Sequence, residues 1–275
     1  MNAAENGKFL KFLYNSVPGR IFLKILSAPF ISKIAGIYLS CALSKPLIKG
    51  FVRKNNINLD DFYSDDFKSF NDCFSRKIKE NLRPVDNEIS ALISPCDGLL
   101  SVYDVNSETV FPVKQSEYNL FSLLKNKDLS KEFEGGKCLV FRLCVNHYHR
   151  YCYLDSGSLI NNYYIKGKLH TVRPIALENM PVFCENCREI SILDYDNFGK
   201  TIQIEVGAMM VGKIKNYRLT DFSKGTEKGM FLFGGSTIIV LLKKGKVSIN
   251  DEILSNSSCG IETEVKMGQK IGKRI

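Results

Sequence analysis

The sequence predicts an α+β protein with a body of mainly antiparallel β-sheet and a helical N-terminal segment. Two observations carry this prediction. From about residue 93 onward, short runs rich in Val, Ile, Leu, Tyr and Phe alternate with turn signals such as Gly135-Gly136, which is typical of strands. Before that point, Phe and Leu recur at helical spacing between lysines and arginines. The length of 275 residues allows one large domain, or one domain with an appendage.

The first unit, residues 1–56, holds nine basic side chains and one acidic side chain, and so carries nearly all of the net charge of +9. Nucleic acid is not an expected partner, because a nucleic-acid-binding protein carries its basic residues on the folded body. The longest uncharged runs, Ile25–Ser32 and Ile34–Ser44, are shorter than the roughly 18 apolar residues that a membrane span needs. The pattern suits a helix lying in a membrane interface or an amphipathic helix packed on its own core. The charge asymmetry favours the membrane, since each Lys or Arg near an anionic surface contributes about 1 kcal/mol.

The second unit, residues 57–275, is predicted to begin with a helix and to continue as strands. Asp60-Asp61 can open the helix, and Phe62, Phe67 and Phe70 recur at helical intervals. A short helix is expected within residues 115–134. Four stretches are predicted as strands: "CLVFRLCV" (138–145), "EISILDY" (189–195), "TIQIEVGAMMVGKI" (201–214) and "STIIVLLKKGKVSI" (236–249).

The cysteines and histidines raise the question of a metal site. Nine cysteines, an odd and scattered set, do not resemble a disulfide framework and indicate a reducing compartment. His147 and His149, two apart, share one face if they lie on a strand, and Cys184 and Cys187 complete a possible zinc tetrad. The Cys-x-x-Cys spacing lacks a second matching pair, so we favour structural cysteines and expect no metal.

The stretch "FLFGGSTIIVLL", residues 231–242, places two glycines directly before a serine inside a strand pattern. Such glycines usually mark a bulge or turn, and Asp97-Gly98 is likewise typical of a turn. A carboxylate, a histidine and a serine are nevertheless the parts of a Ser–His–Asp relay, which is recognised by geometry and not by chain order. The residues alone leave open a serine nucleophile at Ser236 with no identified substrate.

Five stretches, in order along residues 70–270, together resemble the phosphatidylserine decarboxylases. They are "FSRKIKENLRPVD" (74–86), "SPCDG" (94–98), "YHRY" (148–151), "VGAMMVGKI" (206–214) and "EKGMFLFGGST" (227–237). The last matches the Gly-Ser-Thr processing motif of that family. Any one of these motifs is a weak signal, but all five in the same order are a specific one.

The resemblance implies a self-processing lyase. The chain would cut itself between Gly235 and Ser236, and Ser236 would become a pyruvoyl group, the only cofactor expected. Residues 1–235 and 236–275 would remain together as a heterodimer. The pyruvoyl carbonyl would form a Schiff base with phosphatidylserine and release phosphatidylethanolamine after loss of CO₂. Such an enzyme is expected to bind an anionic membrane surface peripherally, on the cytoplasmic face of the cell membrane, through residues 1–56.

The resemblance also assigns catalytic roles to Asp97, His149 and Ser236, with one departure from the family pattern. Many members continue Tyr-His-Arg with a second histidine, and Cys152 stands in its place here. A thiol with a pKa near 8.5 replaces imidazole poorly as a base. We therefore expect His149 to activate Ser236, with His170 as the alternative; His147 is less favoured because Tyr-His-Arg matches only His149.

Two other classes of function remain open at this point. A serine hydrolase using Asp97, His149 and Ser236 would keep its chain whole. A non-catalytic membrane-binding module, or one stabilised by zinc, would also stay whole. Self-cleavage separates both from the decarboxylase.

Overall fold

The computed structural model describes residues 8–63, 66–106, 111–113, 116–172, 174–177, 179–208, 214–233 and 236–275. Within these residues the helices, numbered α1 to α10 in chain order, are Lys8–Asn15, Val17–Leu26, Pro29–Leu39, Pro46–Lys54, Phe70–Phe74, Leu120–Leu124, Lys127–Glu132, Pro174–Leu177, Val182–Glu185 and Asp251–Ser258. Two short 3₁₀ helices lie at Ala42–Ser44 and Leu59–Asp61. The strands, numbered β1 to β16 in the same way, are Ala91–Ile93, Gly98–Asp104, Phe111–Val113, Ser116–Tyr118, Lys137–Leu143, Arg150–Cys152, Gly157–Ile165, Arg188–Tyr195, Gly199–Val206, Ile214–Asn216, Asp221–Phe222, Glu227–Phe231, Ser236–Leu242, Val247–Ile249, Thr263–Val265 and Lys270–Arg274.

An eight-stranded sheet in the order β11-β7-β8-β9-β13-β5-β2-β15, the large sheet, forms the centre of the body. Each of its strand pairs is antiparallel, so the predicted antiparallel body is confirmed. β13 lies between β9 and β5 and is buried along its whole length. Its sequence, STIIVLL, is apolar at successive positions, as expected for a strand that is covered on both faces.

The two faces of the large sheet are covered by different elements. Arg188 of β8 points to one face and donates hydrogen bonds of 2.7 and 2.9 Å to backbone carbonyls of α6. Glu205 of β9 points to the other face, where it accepts hydrogen bonds from Lys228 and Asn216 of the three-stranded sheet β10-β12-β6, the small sheet. Because paired residues share a face, Ile238 of β13, the partner of Glu205, also lies beneath the small sheet.

The N-terminal segment is helical, as predicted, and it packs on the body through part of its surface. Leu13 and Tyr14 of α1 and Leu23 of α2 are buried in the main core. The backbone N–H of Leu169 donates to the carbonyl of Ser27 at 3.0 Å. The segment therefore contributes to the core of the body.

Other apolar side chains of α2 and α3 lie on the surface. Their exposed fractions run from 45% to 75%, and they belong to Val17, Ile21, Phe22, Ile25, Phe30, Ile34, Ile37 and Tyr38. No single helix in the described part of the chain has the length and apolar composition to cross a membrane. α2 together with Phe30–Leu39 meets these two criteria as a pair, with a bend of 61° between the helices. Association with a membrane stays a prediction.

The predicted boundary after residue 56 lies in a packed region. Phe51 of α4 contacts Phe70 of α5 with ring centroids 4.9 Å apart, and it lies 6.1 Å from Phe74. The same cluster includes Phe233, whose ring centroid is 4.7 Å from that of Phe70. The division into residues 1–56 and 57–275 stays a prediction.

The predicted helix opening at Asp60-Asp61 is wrong. These residues end a 3₁₀ helix, and α5 begins only at Phe70, where the Ser69 hydroxyl accepts a hydrogen bond from a backbone N–H of the first turn. Phe62 instead forms an antiparallel bridge with Ile78. Pairing with a distant residue therefore overrides the local helical spacing.

Three further stretches are interrupted where one element was predicted. The region 115–134 holds two helices, α6 and α7, because Lys125 ends α6 in a left-handed conformation with φ of 54°. The strand predicted over 201–214 ends at Val206 as β9, and β10 begins at Ile214. The strand predicted over 236–249 is two strands, β13 and β14, with Gly245 between them at φ of 72°.

Candidate active site

Ser236 is the first residue of β13 and is completely buried. Its Oγ lies 3.4 Å from Nδ1 of His149. Pairing with Leu143 of β5 fixes its backbone inside the large sheet. Gly234 and Gly235, the residues on the other side of the predicted cleavage point, lie outside the described residues. A separation of 3.4 Å requires only a small approach for proton transfer between the two side chains.

His149 directly precedes β6. One backbone hydrogen bond fixes its position, and one contact of its ring fixes its tautomer. Its own carbonyl accepts a hydrogen bond of 2.9 Å from the N–H of Phe231 at the end of β12. Its Nε2 lies 3.1 Å from the carbonyl oxygen of Cys144. Because a carbonyl can only accept, Nε2 carries the proton of the neutral ring. Nδ1 is left as an acceptor that faces the Ser236 hydroxyl.

The surroundings of His149 keep its ring neutral. The ring is completely buried and stacks on Phe74, with centroids 4.0 Å apart and an interplanar angle of 30°. Burial lowers the pKa of His149 well below 6.5, and the positive charge of Arg76 lowers it further. A neutral imidazole with an unprotonated Nδ1 is the form that a general base requires.

Arg76 is a site residue that sequence reasoning did not single out, although it lies inside the "FSRK" motif. Its side chain is 2% exposed, and its Nη2 donates to the carbonyls of Asn146 and His147 at 3.0 and 3.2 Å. The guanidinium carbon lies 4.4 Å from the centre of the Phe62 ring. Arg76 thus holds the turn that leads into His149. The sequence does not show that this arginine is buried, because its role is defined by the backbone carbonyls that it contacts in the folded chain.

Asp97 was expected to join His149 in a relay, and its hydrogen bonds within the described residues go elsewhere. The carboxylate accepts from Nε and Nη2 of Arg83 at 2.7 and 2.5 Å, and from the N–H of Met267 at 2.9 Å. Burial lowers the pKa of His147, and the charge of Asp97 opposes that shift in part. The structure therefore brings Ser236 and His149 together and places Asp97 in an ion pair with Arg83.

The two other candidates for the base are held in different surroundings. Cys152 is completely buried, and burial raises the pKa of its thiol to about 12, so it stays protonated at neutral pH. His170 lies in a pocket with Tyr14 and Glu185, and its Nε2 is 3.5 Å from Oε2 of Glu185. Of the three histidines, His149 is the one that contacts Ser236.

All nine cysteines are free thiols. The part of the chain that the structure describes holds no group of three or more His, Cys, Asp or Glu side chains arranged to bind a metal ion. Cys184 and Cys187 lie on either side of the end of α9.

Comparison with known proteins places these residues in a family context. The family model described as phosphatidylserine decarboxylase matches residues 70–273. A phosphatidylserine decarboxylase proenzyme 2 of Clostridium acetobutylicum is 46% identical over 270 residues, covering 98% of this chain and 92% of the relative. A phosphatidylserine decarboxylase proenzyme of Clostridium botulinum is 43% identical over 274 residues, with 97% and 93% covered. One of Ruminiclostridium cellulolyticum is 40% identical over 276 residues, with 98% and 92% covered.

Proposed function

Since the chain belongs to the phosphatidylserine decarboxylase family and is an enzyme of that class, we propose that it makes phosphatidylethanolamine with a pyruvoyl group formed from its own Ser236. The observation that carries the proposal is the distance of 3.4 Å between His149 Nδ1 and Oγ of Ser236, the serine of a Gly-Gly-Ser-Thr run. The term proenzyme in the names of the relatives is consistent with a chain that matures by cleavage.

Self-cleavage would use only groups of the chain and water. His149 Nδ1 accepts the proton of Ser236 Oγ, and the oxygen attacks the carbonyl carbon of Gly235. The peptide C–N bond breaks as the Ser236 nitrogen takes up a proton, which leaves Gly235 joined to the serine oxygen as an ester. Loss of the Ser236 Cα proton then expels the Gly235 carboxylate and leaves dehydroalanine. Its imine tautomer is hydrolysed by water, ammonia departs, and a pyruvoyl group remains on the nitrogen of Thr237.

The position of Ser236 fits a carbonyl group at the start of the small fragment. The ladders of β13 to β5 and β9 would hold its backbone after the cut, and His149 would lie beside the new carbonyl. When formed, the pyruvoyl group supplies an electrophilic carbonyl that binds the substrate amine and withdraws electrons as CO₂ leaves. The Phe74 ring stacked on His149 holds the imidazole in place at this point.

Peripheral binding to a membrane is part of the proposal, because the substrate is a lipid. The exposed apolar side chains of α2 and α3 are of the kind that an interfacial helix buries in a membrane. Basic residues of the same segment, such as Lys24 and Lys33, provide attraction to anionic lipids of the cytoplasmic face. Burial of the apolar face and attraction of the lysines to anionic lipids together bind such a helix to the membrane interface.

The alternative of an uncleaved serine hydrolase requires Asp97 to orient His149, and the carboxylate is engaged by Arg83 instead. Intact-mass analysis separates the two functions. The purified protein should be two fragments, one that ends at Gly235 and one of residues 236–275 with a blocked N-terminus. Ser236→Ala should remain a single chain of 31.1 kDa and be inactive toward phosphatidylserine. An active wild-type protein of uncleaved mass would exclude the proposed function.

A further inference from the structure

The two partners of the proposed proton transfer lie in different sheets. Ser236 begins β13 of the large sheet, whereas His149 directly precedes β6 of the small sheet. The distance between His149 Nδ1 and Ser236 Oγ therefore depends on how the small sheet is seated on the large one. Contacts that join the sheets close to these residues are candidates for setting that distance.

A buried polar cluster, which we call the sheet cross-link, joins the two sheets. Glu205 of β9 is completely buried and Lys228 of β12 is 2% exposed. Nζ of Lys228 donates to Oε1 of Glu205 at 2.8 Å and to Oδ1 of Asn216 at 3.3 Å. Asn216 also donates to Oε2 of Glu205 at 2.9 Å and accepts from the hydroxyl of Tyr151 at 3.0 Å. Nε2 of Gln203 donates to Oε1 of Glu205 at 3.1 Å.

Burial of an ion pair is costly, and an apolar pair of the same size is often as stable or more stable. Burial raises the pKa of Glu205 even though Lys228 opposes the shift. The cluster also packs directly against the backbone of Gly229. A Cβ at this position would lie 2.9 Å from the hydroxyl of Tyr151 and 2.7 Å from Oδ1 of Asn216, so a side chain there would collide with the cluster. Such a cluster is weak evidence for stability, so a role in specifying geometry is the better explanation of its presence.

The sheet cross-link lies close in sequence to both Ser236 and His149. Glu205 pairs with Ile238, two residues after Ser236, and the two side chains share a face. Lys228 lies three residues before Phe231, whose N–H binds the carbonyl of His149. Tyr151 lies two residues after His149 on β6. The cluster is thus attached within a few residues to both members of the pair.

We propose that Lys228 and Glu205 are positioning residues that hold the small sheet on the large one and thereby set the approach of His149 Nδ1 to Ser236 Oγ. This inference rests on the proposed function, because cleavage is the reaction that it explains. Neither side chain contacts the reacting atoms. Loss of the cross-link should therefore slow cleavage without moving the pH at which His149 loses its function as a base.

The test compares Lys228→Met, Glu205→Gln and the double variant, each followed for cleavage rate, pH profile and Tm. Each single change leaves a buried charge without its oppositely charged partner, so both the rate and the Tm should fall. The double variant has no charge within the cross-link and should regain a Tm close to that of the wild type. Its cleavage should remain at least tenfold slower, with an unchanged midpoint in pH. A double variant that cleaves at the wild-type rate would show that the pair has only a structural role.

A milder pair of variants tests the inference even where the double variant fails to fold. Tyr151→Phe removes one hydroxyl from the cross-link, and it should slow cleavage several-fold. Tyr195→Phe is the matched control, because its buried hydroxyl binds the N–H of Leu154 outside the cross-link. Equal rates in these two variants would overturn the inference while the wild type still cleaves. A wild-type chain that does not cleave would instead refute the proposed function itself.

Discussion

At the scale of single residues, His149 combines three properties that a base for Ser236 needs. The Cys144 carbonyl fixes the proton on Nε2, burial keeps the ring neutral, and Nδ1 faces the serine hydroxyl. Each property comes from a different neighbour. Cys152 stands where the family resemblance leads us to expect a second histidine. His149 nevertheless presents an unprotonated Nδ1 that can accept the proton of Ser236.

His149→Ala should abolish most of the self-cleavage, because a general base contributes about 10² to 10⁴-fold to a rate. His147→Ala and His170→Ala should change the rate by less than about tenfold. The measurement is the fraction of cleaved chain over time after cell-free synthesis, read on a denaturing gel. Should His170→Ala stall while His149→Ala cleaves, the base is His170.

The rate of cleavage should stay constant from pH 8 down to well below pH 6.5. The pKa of His149 is well below 6.5 in the folded chain, so its neutral form persists into mildly acidic buffers. The same shift makes stability fall in acid, since below its unfolded pKa of about 6.5 the unfolded state binds a proton that the folded state does not. Rates measured in buffers from pH 4.5 to 8.5 check this expectation, and a midpoint at or above 6.5 would contradict it.

Asp97→Asn should lower both the Tm and the rate of cleavage, because it removes one charge of a mostly buried ion pair with Arg83. Breaking such a pair costs roughly 3–5 kcal/mol. Arg83→Gln breaks the same pair and keeps the carboxylate, so it separates the two roles. Equal rates in the two variants would indicate that Asp97 acts through the ion pair, and a much slower Asp97→Asn would indicate a direct role of its charge.

At the scale of elements, α2 packs on the core with one face and exposes apolar side chains on another. Leu23 packs in the main core, whereas Ile21, Phe22 and Ile25 are more than half exposed. Removal of the whole helix would therefore expose the core as well as remove the apolar surface. Substitution of the exposed side chains alone is the sharper experiment.

Ile21→Ser, Phe22→Ser and Ile25→Ser combined should release the protein from liposomes that contain anionic lipids and leave self-cleavage unchanged. Binding to an interface scales with the apolar area buried there. Co-sedimentation with vesicles measures the effect, and added salt should weaken what remains, since surface charges are screened over about 8 Å at physiological ionic strength. Ile160→Ser on β7, a 52% exposed control, should bind like the wild type. Unchanged binding of the triple variant would place the membrane contact elsewhere.

At the scale of the whole molecule, cleavage at Gly235–Ser236 would cut the chain directly before β13, a central strand of the large sheet. β13 is paired on both sides with strands of residues 1–235, and β15 and β16 pair with β2 and β1. The small fragment is therefore integrated into two sheets. His149 then comes from one fragment and Ser236 from the other.

The two fragments should stay together after the cut and separate only when the protein unfolds. Size-exclusion chromatography in native buffer should give one peak that contains both fragments, and the same column in guanidinium chloride should give two. The Ser236→Ala precursor is the control and should elute as a single chain under both conditions. Native elution of a free 236–275 fragment would contradict the expected heterodimer.

Much of the fold and part of the site could be predicted because their signals are local. The alternation of apolar runs and turns predicts the antiparallel body, and the five motifs lead to Ser236 and His149. The helix predicted at Asp60-Asp61 fails because Phe62 pairs with Ile78. The role of Arg76 is likewise not visible in the sequence, since four backbone carbonyls define it.

The family, the antiparallel body and the basic helical N-terminus follow from the sequence by itself, and so does the choice of Ser236 as the candidate serine, because composition, periodicity and motif order are properties of the chain. Only the tertiary structure decided which polar group each candidate meets. It paired Asp97 with Arg83, fixed the tautomer of His149 and buried Lys228 against Glu205. The physical reason is distance along the chain: His149 and Ser236 are 87 residues apart, and only the packing of the two sheets brings their side chains together.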